Sequence, residues 1–413
     1  MGFSLLENKV VKMVNLLLKN AHILTPFKSI DEGFVVVKNK KINFIGKKSE
    51  YVEYSDEKNM QEIDLHGKYL IPGFFDIHNH GAAGFIYDEI ENVNQFEKIC
   101  KMLTSEGITT FLPTLLPISK KESLSEFLKR LKNISTIIDE KTHGANPFGL
   151  NLELFLRPGY GAITSNKIKP TIENWNLIKK QTSDKVKIVT IAPCWENALE
   201  LIQKLKMDNV IPSIGHTIAS EKQLDKAIRY GSKLITHLFN GTIQPEQKQK
   251  GVITPGVNEY LLTRNDIMAE IIADKEGIHV HPTMLKIAIR CLGIDNIISI
   301  TDSLQTRGTK INKFKLNGET VLRKNDVNYD SKGNLCGSAL QLNKAVRNLT
   351  IHTKIELKDA VKTATVNPAK LLNVFRKKGS IEVGKDADLT VIDEEFNVFL
   401  TLVEGKIQFK RKI

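Results

Sequence analysis

The hydrophobic pattern divides the chain into a long central part and two shorter ends. At the ends, short runs rich in β-branched residues alternate with polar turns, as in residues 34–37 and 388–392, which is typical of small β-strands. Turns are predicted at residues 31–33 and 39–40. Residues 1–12 precede this pattern and are predicted to form an appended helix or a tail.

The central part alternates apolar runs of strand length with amphipathic segments of helix length. About eight such units fit between residues 71 and 372, which predicts a closed (β/α)8 TIM barrel, an α/β fold. Because the two ends look alike and flank the barrel, we expect them to form one small β-sandwich-like domain. The predicted domains are 13–70 plus 375–413 for the small β-domain and 71–374 for the barrel.

Composition and charge exclude several classes of function. The 413 residues are 41% hydrophobic and carry a formal net charge of +12. The basic residues are scattered among acidic and apolar ones, and no nucleic-acid motif accompanies them, so a basic solvated surface without a nucleic-acid partner is predicted. No apolar run approaches the length of a membrane helix, so no membrane association is expected.

Four cysteines, Cys100, Cys194, Cys291 and Cys336, lie far apart in the sequence. Without a CxxC pair they do not suggest a cysteine zinc site. They are predicted to be reduced thiols of a cytoplasmic protein.

Histidines gather where the predicted barrel strands end. Of the ten histidines in the sequence, six lie at or just beyond such ends: His78, His80, His216, His237, His279 and His281. TIM barrels carry their reactive groups at the carboxyl ends of the strands. The pattern therefore predicts a site at this end of the barrel.

The residue types at these strand ends indicate metal-dependent hydrolysis. Glu153, His216 and His237 come from three separate strand ends, and one carboxylate with two imidazoles leaves a coordination position open for water. Asp302 follows a late apolar strand and is the candidate to take and return the proton; its alternative role is a helix N-cap or a turn.

His78 and His80 are two residues apart on a strand, so their side chains share one face. Both could bind metal; alternatively, one binds metal and the other braces a loop.

Several motifs resemble one known family. The segment PGFFDIHNHG (residues 72–81) resembles the first-strand signature of the amidohydrolase superfamily, and GSIEVGKDADL (379–389) is shared by many of its members. The segments GITTFLPT (107–114), GHT (215–217) and THLFN (236–240) resemble N-acetylglucosamine-6-phosphate deacetylases.

This resemblance implies specific roles. Glu153, His216 and His237 correspond to the family's metal ligands, and His78 and His80 to the pair that holds a second metal in some members. Asp302 corresponds to the proton-shuttling aspartate and His279 to the histidine near the scissile amide. Asn240 and Gly241 correspond to the pair whose backbone meets the substrate's phosphate end. A homodimer is implied as well.

The sequence also departs from the family pattern. The family's His-x-Glu-Gly-Pro is replaced by Asn151-Leu152-Glu153-Leu154-Phe155, and the downstream substrate-binding His by Ala162-Ile163. Cys194 stands in place of a glutamate. The phosphate-binding Arg after the Asn240 loop is absent, and Lys248 and Lys250 are the nearby candidates, as point charges without a bidentate fork.

The predicted function is metal-dependent hydrolysis of the N-acetyl group of N-acetylglucosamine 6-phosphate. One or two divalent ions are expected, with zinc, iron, manganese and cobalt all suited to imidazole and carboxylate ligands. The alternatives are a deacetylase of a different N-acyl amino sugar and a non-catalytic binding protein that kept the fold.

Overall fold

The computed structural model describes residues 15–25, 27–50, 60–117, 122–157, 168–242 and 249–412. The predicted N-terminal helix or tail lies outside these residues. None of the helices within the described ranges has the length and apolar character needed to cross a bilayer.

The first strands form a sheet around a central strand. They are β1 (Asn15–Leu24), β2 (Ser29–Lys38), β3 (Lys41–Lys47), β4 (Met60–Asp64) and β5 (Tyr69–Pro72). β1, β2 and β3 pair antiparallel, whereas β4 and β5 pair with β1 in parallel, so the region is not a simple meander. The turn predicted at residues 31–33 is wrong. These residues continue β2 through a register shift in which Glu32 has a φ of 47°, because a β-bulge absorbs polar residues without ending a strand.

A parallel barrel follows in the chain. Its strands and the short strands between them are β6 (Phe74–Asn79), β7 (Gly81–Ala82), β8 (Phe85–Ile86), β9 (Ile108–Leu115), β10 (Asn146–Pro147), β11 (Leu150–Phe155), β12 (Val186–Ile191), β13 (Ile211–Ile214), β14 (Leu234–Ile235), β15 (Met268–Ile271) and β16 (Ile297–Ser299). In the described part of the chain, β6, β9 and β11 to β16 pair in parallel in that order. The predicted (β/α)8 fold is confirmed.

Backbone hydrogen bonds bring the last barrel strand back to the first. The Asp302 N–H donates to the His78 carbonyl at 2.9 Å, and the His80 N–H donates to the Ser303 carbonyl at 2.7 Å. Because the strands are covered on both sides, whole strands are buried; every residue of β9 and β11 is buried, as expected for parallel barrel strands.

Helices alternate with the barrel strands and complete the barrel. They are α1 (Val93–Thr104), α2 (Leu124–Ile137), α3 (Ile172–Thr182), α4 (Ala198–Met207), α5 (Glu221–Tyr230), α6 (Val257–Leu262), α7 (Pro282–Leu292), α8 (Leu342–Thr353), α9 (Leu357–Thr363) and α10 (Val366–Leu371). Their starts follow local chemistry: the Asn92 side chain caps α1, and Ser123 with Glu126 forms a capping box on α2, which satisfies N–H groups that a helix leaves unpaired.

An antiparallel sheet lies between β16 and α8, and the hydrophobic pattern did not predict it. Its strands are β17 (Lys313–Leu316), β18 (Glu319–Lys324), β19 (Val327–Asp330) and β20 (Leu335–Ser338). Half or more of the residues in β17 and β18 are charged, so the apolar alternation that signals a strand is weak. β20 contacts the segment after β16: the Ser338 N–H donates to the Asp302 carbonyl at 2.8 Å.

The chain then returns to the first sheet. Strands β21 (Leu389–Ile392), β22 (Val398–Val403) and β23 (Lys406–Lys410) join it through antiparallel pairing of β21 with β5. β3 lies at the opposite edge of this sheet, and its Ile42 N–H donates to the Lys385 carbonyl, just before β21, at 2.9 Å. The strands from both ends of the chain share one apolar core. The sheet is built from both ends of the chain, as expected, whereas the exact domain boundaries stay a prediction.

Candidate functional site

The candidate site lies at the carboxyl ends of the barrel strands. Glu153 lies in β11, and His216 and His237 each lie two residues beyond the end of their strands, β13 and β14. Their exposed fractions are only 4, 6 and 3%. The structure brings these three predicted ligands, which are far apart in sequence, into one buried cluster.

Glu153 is the centre of this cluster. Its Oε1 lies 2.8 Å from Nε2 of His216 and 2.9 Å from Nε2 of His237, and the two imidazole nitrogens are 3.2 Å apart. All of these atoms lie within 4.8 Å of one another. A carboxylate oxygen and two imidazole nitrogens in this arrangement suit a divalent transition metal.

His78 and His80 form a second group with the other oxygen of Glu153. His80 Nε2 is 3.4 Å from Glu153 Oε2, and one ligand atom from each of the three residues lies within 4.8 Å of the others. Nε2 of His78 is buried and has no hydrogen-bond partner among the described residues. Such a nitrogen is costly unless something satisfies it, and a metal ion would do so. The arrangement therefore suits divalent metal binding on both sides of Glu153.

Asp302 faces the second group. Its Oδ1 lies 3.2 Å from Nε2 of His80 and 3.6 Å from Nε2 of His78. Its backbone has a φ of 48°, a left-handed conformation that costs about 1–3 kcal/mol and often marks functional sites. Hydrogen bonds to β6 and β20 hold it there. The next element in the chain is β17, so Asp302 is not a helix N-cap.

Burial and the neighbouring carboxylates shift the pKa values of the site histidines in opposite directions. Burial alone would lower the pKa of His80, but hydrogen bonds to Asp302 and Glu153 raise that pKa to about 10. For the same reasons, contact with Glu153 raises the pKa of His237 to about 9. In the metal-free protein at neutral pH these imidazoles therefore hold protons, which a metal ion must displace.

The pKa values of the two site carboxylates are lowered, whereas those of the histidines are raised. Burial would raise the pKa of Glu153, but the charge of His216 and hydrogen bonds to the surrounding imidazoles hold it well below its usual value. The pKa of Asp302 is lowered against the effect of burial by its hydrogen bond to His80 and the charge of His78. Both carboxylates are ionised at neutral pH, as a metal ligand and a general base must be.

His279 lies in a loop after β15 and is fixed by Asp274. The Asp274 carboxylate accepts the His279 backbone N–H at 2.7 Å and lies 3.1 Å from its Nδ1. The other ring nitrogen, Nε2, is 3.3 Å from the Gly337 carbonyl. His281, which the sequence pattern grouped with the site histidines, instead caps α7.

Two of the predicted substrate-binding residues, Asn240 and Gly241, lie next to His279 and His216. The Asn240 side chain donates to the His279 carbonyl at 2.8 Å. Gly241 has a φ of +67°, and an added Cβ there would lie 2.7 Å from the ring of His216. Lys250 is exposed. Lys248, like Ala162 and Ile163, lies outside the described residues.

Two buried charged groups escaped sequence reasoning, one in contact with a site histidine and one beneath the site strands. Glu270 in β15 contacts His78, with its Oε2 2.9 Å from Nδ1. Arg307 is fully buried, contacts Glu106, and lies 2.7 Å from Asp76 Oδ2. The sequence did carry a signal for Glu270 and for Asp76, the partner of Arg307. Each of these carboxylates interrupts an apolar run, and a buried charge needs a partner.

The segment that departs from the family pattern keeps a regular strand. Asn151 is buried in β11, and its side chain donates to the Ile77 carbonyl at 2.9 Å. It therefore links β11 to β6, the two strands that carry Glu153 and His78. The Asn151 substitution thus leaves Glu153 in place.

Comparison with known proteins agrees with this geometry. The Amidohydrolase family profile matches residues 69–408. The chain is 31% identical to the N-acetylglucosamine-6-phosphate deacetylase of Bacillus subtilis (strain 168) over 402 residues, covering 96% of this chain and 98% of that protein. It is 29% identical to the N-acetylgalactosamine-6-phosphate deacetylase of Escherichia coli O157:H7, covering 82% of this chain and 87% of that protein.

A solved structure extends the likeness to three dimensions. The crystal structure of N-acetylglucosamine-6-phosphate deacetylase from Pasteurella multocida superposes with a TM-score of 0.84 at 27% identity, covering 95% of this chain and 99% of that one. The chain therefore belongs to the amidohydrolase family and, within it, to the N-acetylglucosamine-6-phosphate deacetylases, hydrolases that act on an amide bond.

Proposed function

We propose that the chain removes the acetyl group of N-acetylglucosamine 6-phosphate, giving glucosamine 6-phosphate and acetate. The observation that carries the proposal is the buried cluster in which Glu153 meets two imidazoles on one oxygen while Asp302 faces the other side. The relatives that share nearly the whole chain support the substrate.

Glu153, His216 and His237 would hold one divalent ion, and Glu153 with His78 and His80 would hold a second. When bound, such an ion supplies Lewis acidity, which lowers the pKa of a water and polarises a carbonyl. Zinc, iron, manganese and cobalt all fit imidazole and carboxylate donors.

The protein's own groups move the protons and orient the substrate. The Asp302 carboxylate, ionised because its pKa is lowered, accepts a proton from the water that attacks the acetamido carbonyl. It then gives a proton to the leaving amine, as general acid–base catalysis requires. His279, whose ring is fixed by Asp274, would contact the substrate near the scissile amide and orient its carbonyl group.

The opposite end of the substrate would meet Asn240 and Gly241, with Lys248 and Lys250 as cationic partners of the phosphate. Lysines bind phosphate as point charges, without the bidentate geometry of arginine. The E. coli relative is a deacetylase of the galactosamine epimer, so that epimer is the alternative substrate.

Acetate release tests the proposal. Wild-type protein loaded with Zn²⁺ or Mn²⁺ should release acetate from N-acetylglucosamine 6-phosphate faster than from its galactosamine epimer or the unphosphorylated sugar. Asp302→Asn should lower kcat by roughly 10²–10⁴-fold, the usual contribution of a general acid–base.

Asp295→Asn is the matched control. Asp295 precedes β16 at the opposite end of the barrel from Asp302, and its side chain is 66% exposed. The Asp295→Asn variant should therefore be as active as wild type. Full activity in Asp302→Asn would overturn the mechanism, and faster turnover of another substrate would reassign the specificity.

The family resemblance also leads us to propose a cytoplasmic homodimer. Light scattering on the purified protein measures the assembly, and a monomeric mass would overturn that part of the proposal.

A further inference from the structure

Glu270 is a charged residue in the middle of an apolar strand. It is fully buried in β15, between Ala269 and Ile271, which are also fully buried. Placing a carboxylate in such surroundings is costly unless hydrogen bonds or charges compensate it. The contacts of Glu270 therefore indicate why the strand carries it.

The Glu270 side chain makes two contacts, and both are made by the same carboxylate oxygen. Oε2 lies 2.9 Å from Nδ1 of His78 and accepts the backbone N–H of His237 at 3.2 Å. Oε1 is buried and has no hydrogen-bond partner among the described residues. The carboxylate thus ties together one histidine from each of the two groups around Glu153.

The contact with Glu270 fixes the tautomer of His78. An ionised carboxylate can only accept a hydrogen bond, so Nδ1 carries the hydrogen and donates, which leaves the lone pair of a neutral imidazole on Nε2. That Nε2 atom is directed at the cluster, 3.6 Å from Asp302 Oδ1. The nitrogen that would bind a metal is therefore the one without a proton.

His78 differs in this respect from the other site imidazoles. Nδ1 of His80 contacts a neutral group, the Thr114 carbonyl, at 3.1 Å. Nδ1 of His216 and of His237 have no hydrogen-bond partner within the described parts of the chain. Among these four imidazoles, only His78 has a carboxylate on its Nδ1 in the described structure, and a carboxylate in this position raises the basicity of a metal-binding histidine.

We infer that Glu270 is a positioning residue that enables the His78–His80 group to hold a second divalent ion. This inference rests on the two-ion form of the proposed function. Glu270 acts through His78 and does not itself reach the reacting atoms. The Glu153–His216–His237 group keeps its three ligand atoms without Glu270, which accepts only the backbone N–H of His237 and does not contact that ring.

Metal titration tests the inference. Metal-free wild type, Glu270→Gln and Glu270→Met are titrated with Mn²⁺ against a competing chelator, and stoichiometry is measured by elemental analysis. Gln keeps the size and one acceptor oxygen but removes the charge, whereas Met removes both. We expect wild type to bind two ions and Glu270→Gln to bind one of them roughly 10–100-fold more weakly, the usual effect of losing such a partner. Glu270→Met should lose that ion altogether.

Electron paramagnetic resonance of the same samples distinguishes loss of one ion from loss of the whole site. Two neighbouring Mn²⁺ ions should give a spin-coupled signal in wild type, Glu270→Met should give the signal of one bound ion, and a damaged fold would give only that of free Mn²⁺.

Glu106→Gln is the matched control. Glu106 is equally buried and is paired with Arg307, and it touches none of the site histidines. It should bind both ions like wild type. Equal weakening in Glu106→Gln, or two-ion binding by Glu270→Met with wild-type affinity, would overturn the inference.

Acetate release by wild type separates this inference from the proposed function. Acetate release with only one bound ion overturns the inference alone. Binding of two ions without acetate release overturns the proposed function and leaves the role of Glu270 standing.

Discussion

Replacement of Gly241 by alanine should damage the metal site through one methyl group. Gly241 has a φ of +67°, and its added Cβ would lie 2.7 Å from both Cε1 and Nδ1 of His216. This is roughly 0.7 Å closer than an ordinary contact between non-bonded heavy atoms allows. The imidazole must therefore retreat, and with it the Nε2 atom that faces Glu153 at 2.8 Å.

Two costs add up in this variant. A side chain in the left-handed region costs about 1–2 kcal/mol of stability. Metal sites tolerate ligand displacements of only about 0.2 Å, so the displaced ring should weaken metal binding at least tenfold. A tenfold loss lowers the stabilisation that saturating metal gives by about 1.4 kcal/mol.

Gly251→Ala separates the two costs. Gly251 has a similar φ of +83°, but nothing lies within 4 Å of an added Cβ. Thermal unfolding with chelator should therefore show the backbone cost in both variants. With Zn²⁺ added, Gly241→Ala should recover much less stability than Gly251→Ala. Equal metal-dependent increases in Tm in the two variants would refute the reasoning.

Two further predictions concern stability. Arg307→Met leaves two buried carboxylates without their cation and should destabilise the protein by roughly 3–5 kcal/mol in chemical denaturation; a loss below about 1 kcal/mol would contradict the buried pairing. The second concerns pH in the metal-free protein, where the pKa values of His80 and His237 are raised to about 10 and about 9. A raised folded-state pKa gives stability that is complete below the unfolded value of about 6.5 and is lost as pH rises through the folded value. Denaturation with chelator should thus show lower stability at pH 10 than at pH 7, while metal affinity rises over the same window; the opposite trend in either measurement would contradict the protonated cluster.

The barrel could be predicted from the sequence because its strands are buried on both faces. Such strands appear as continuous apolar runs, and the helices between them have amphipathic periodicity. The sheet formed by β17 to β20 lacks both signals. Its strands, such as Glu319–Lys324, carry charges on exposed positions, and they are held by pairing with one another and by contact with the loop after β16.

The candidate site was predictable only in part. The position of His216 and His237 after strand ends identified residues that the structure brings together, because parallel strands share one carboxyl end. Sequence could not indicate that Glu270 contacts His78, since these residues are 192 positions apart and meet only through the curvature of the closed barrel.

The pairing of β5 with β21 has a consequence for how the protein is made. β1 to β5 leave the ribosome before the barrel, yet β5 lacks one of its two neighbours until β21, encoded after the whole barrel, has been synthesised. Contacts between such distant segments form slowly, and an unpaired strand edge invites association with other chains. The β21 side chain Thr390 also donates to the Gly107 carbonyl at 2.9 Å, immediately before β9. When β21 joins the sheet, it also stabilises the start of β9, the second barrel strand. A nascent chain stalled before residue 389 should therefore have an unpaired sheet edge and a less stable barrel.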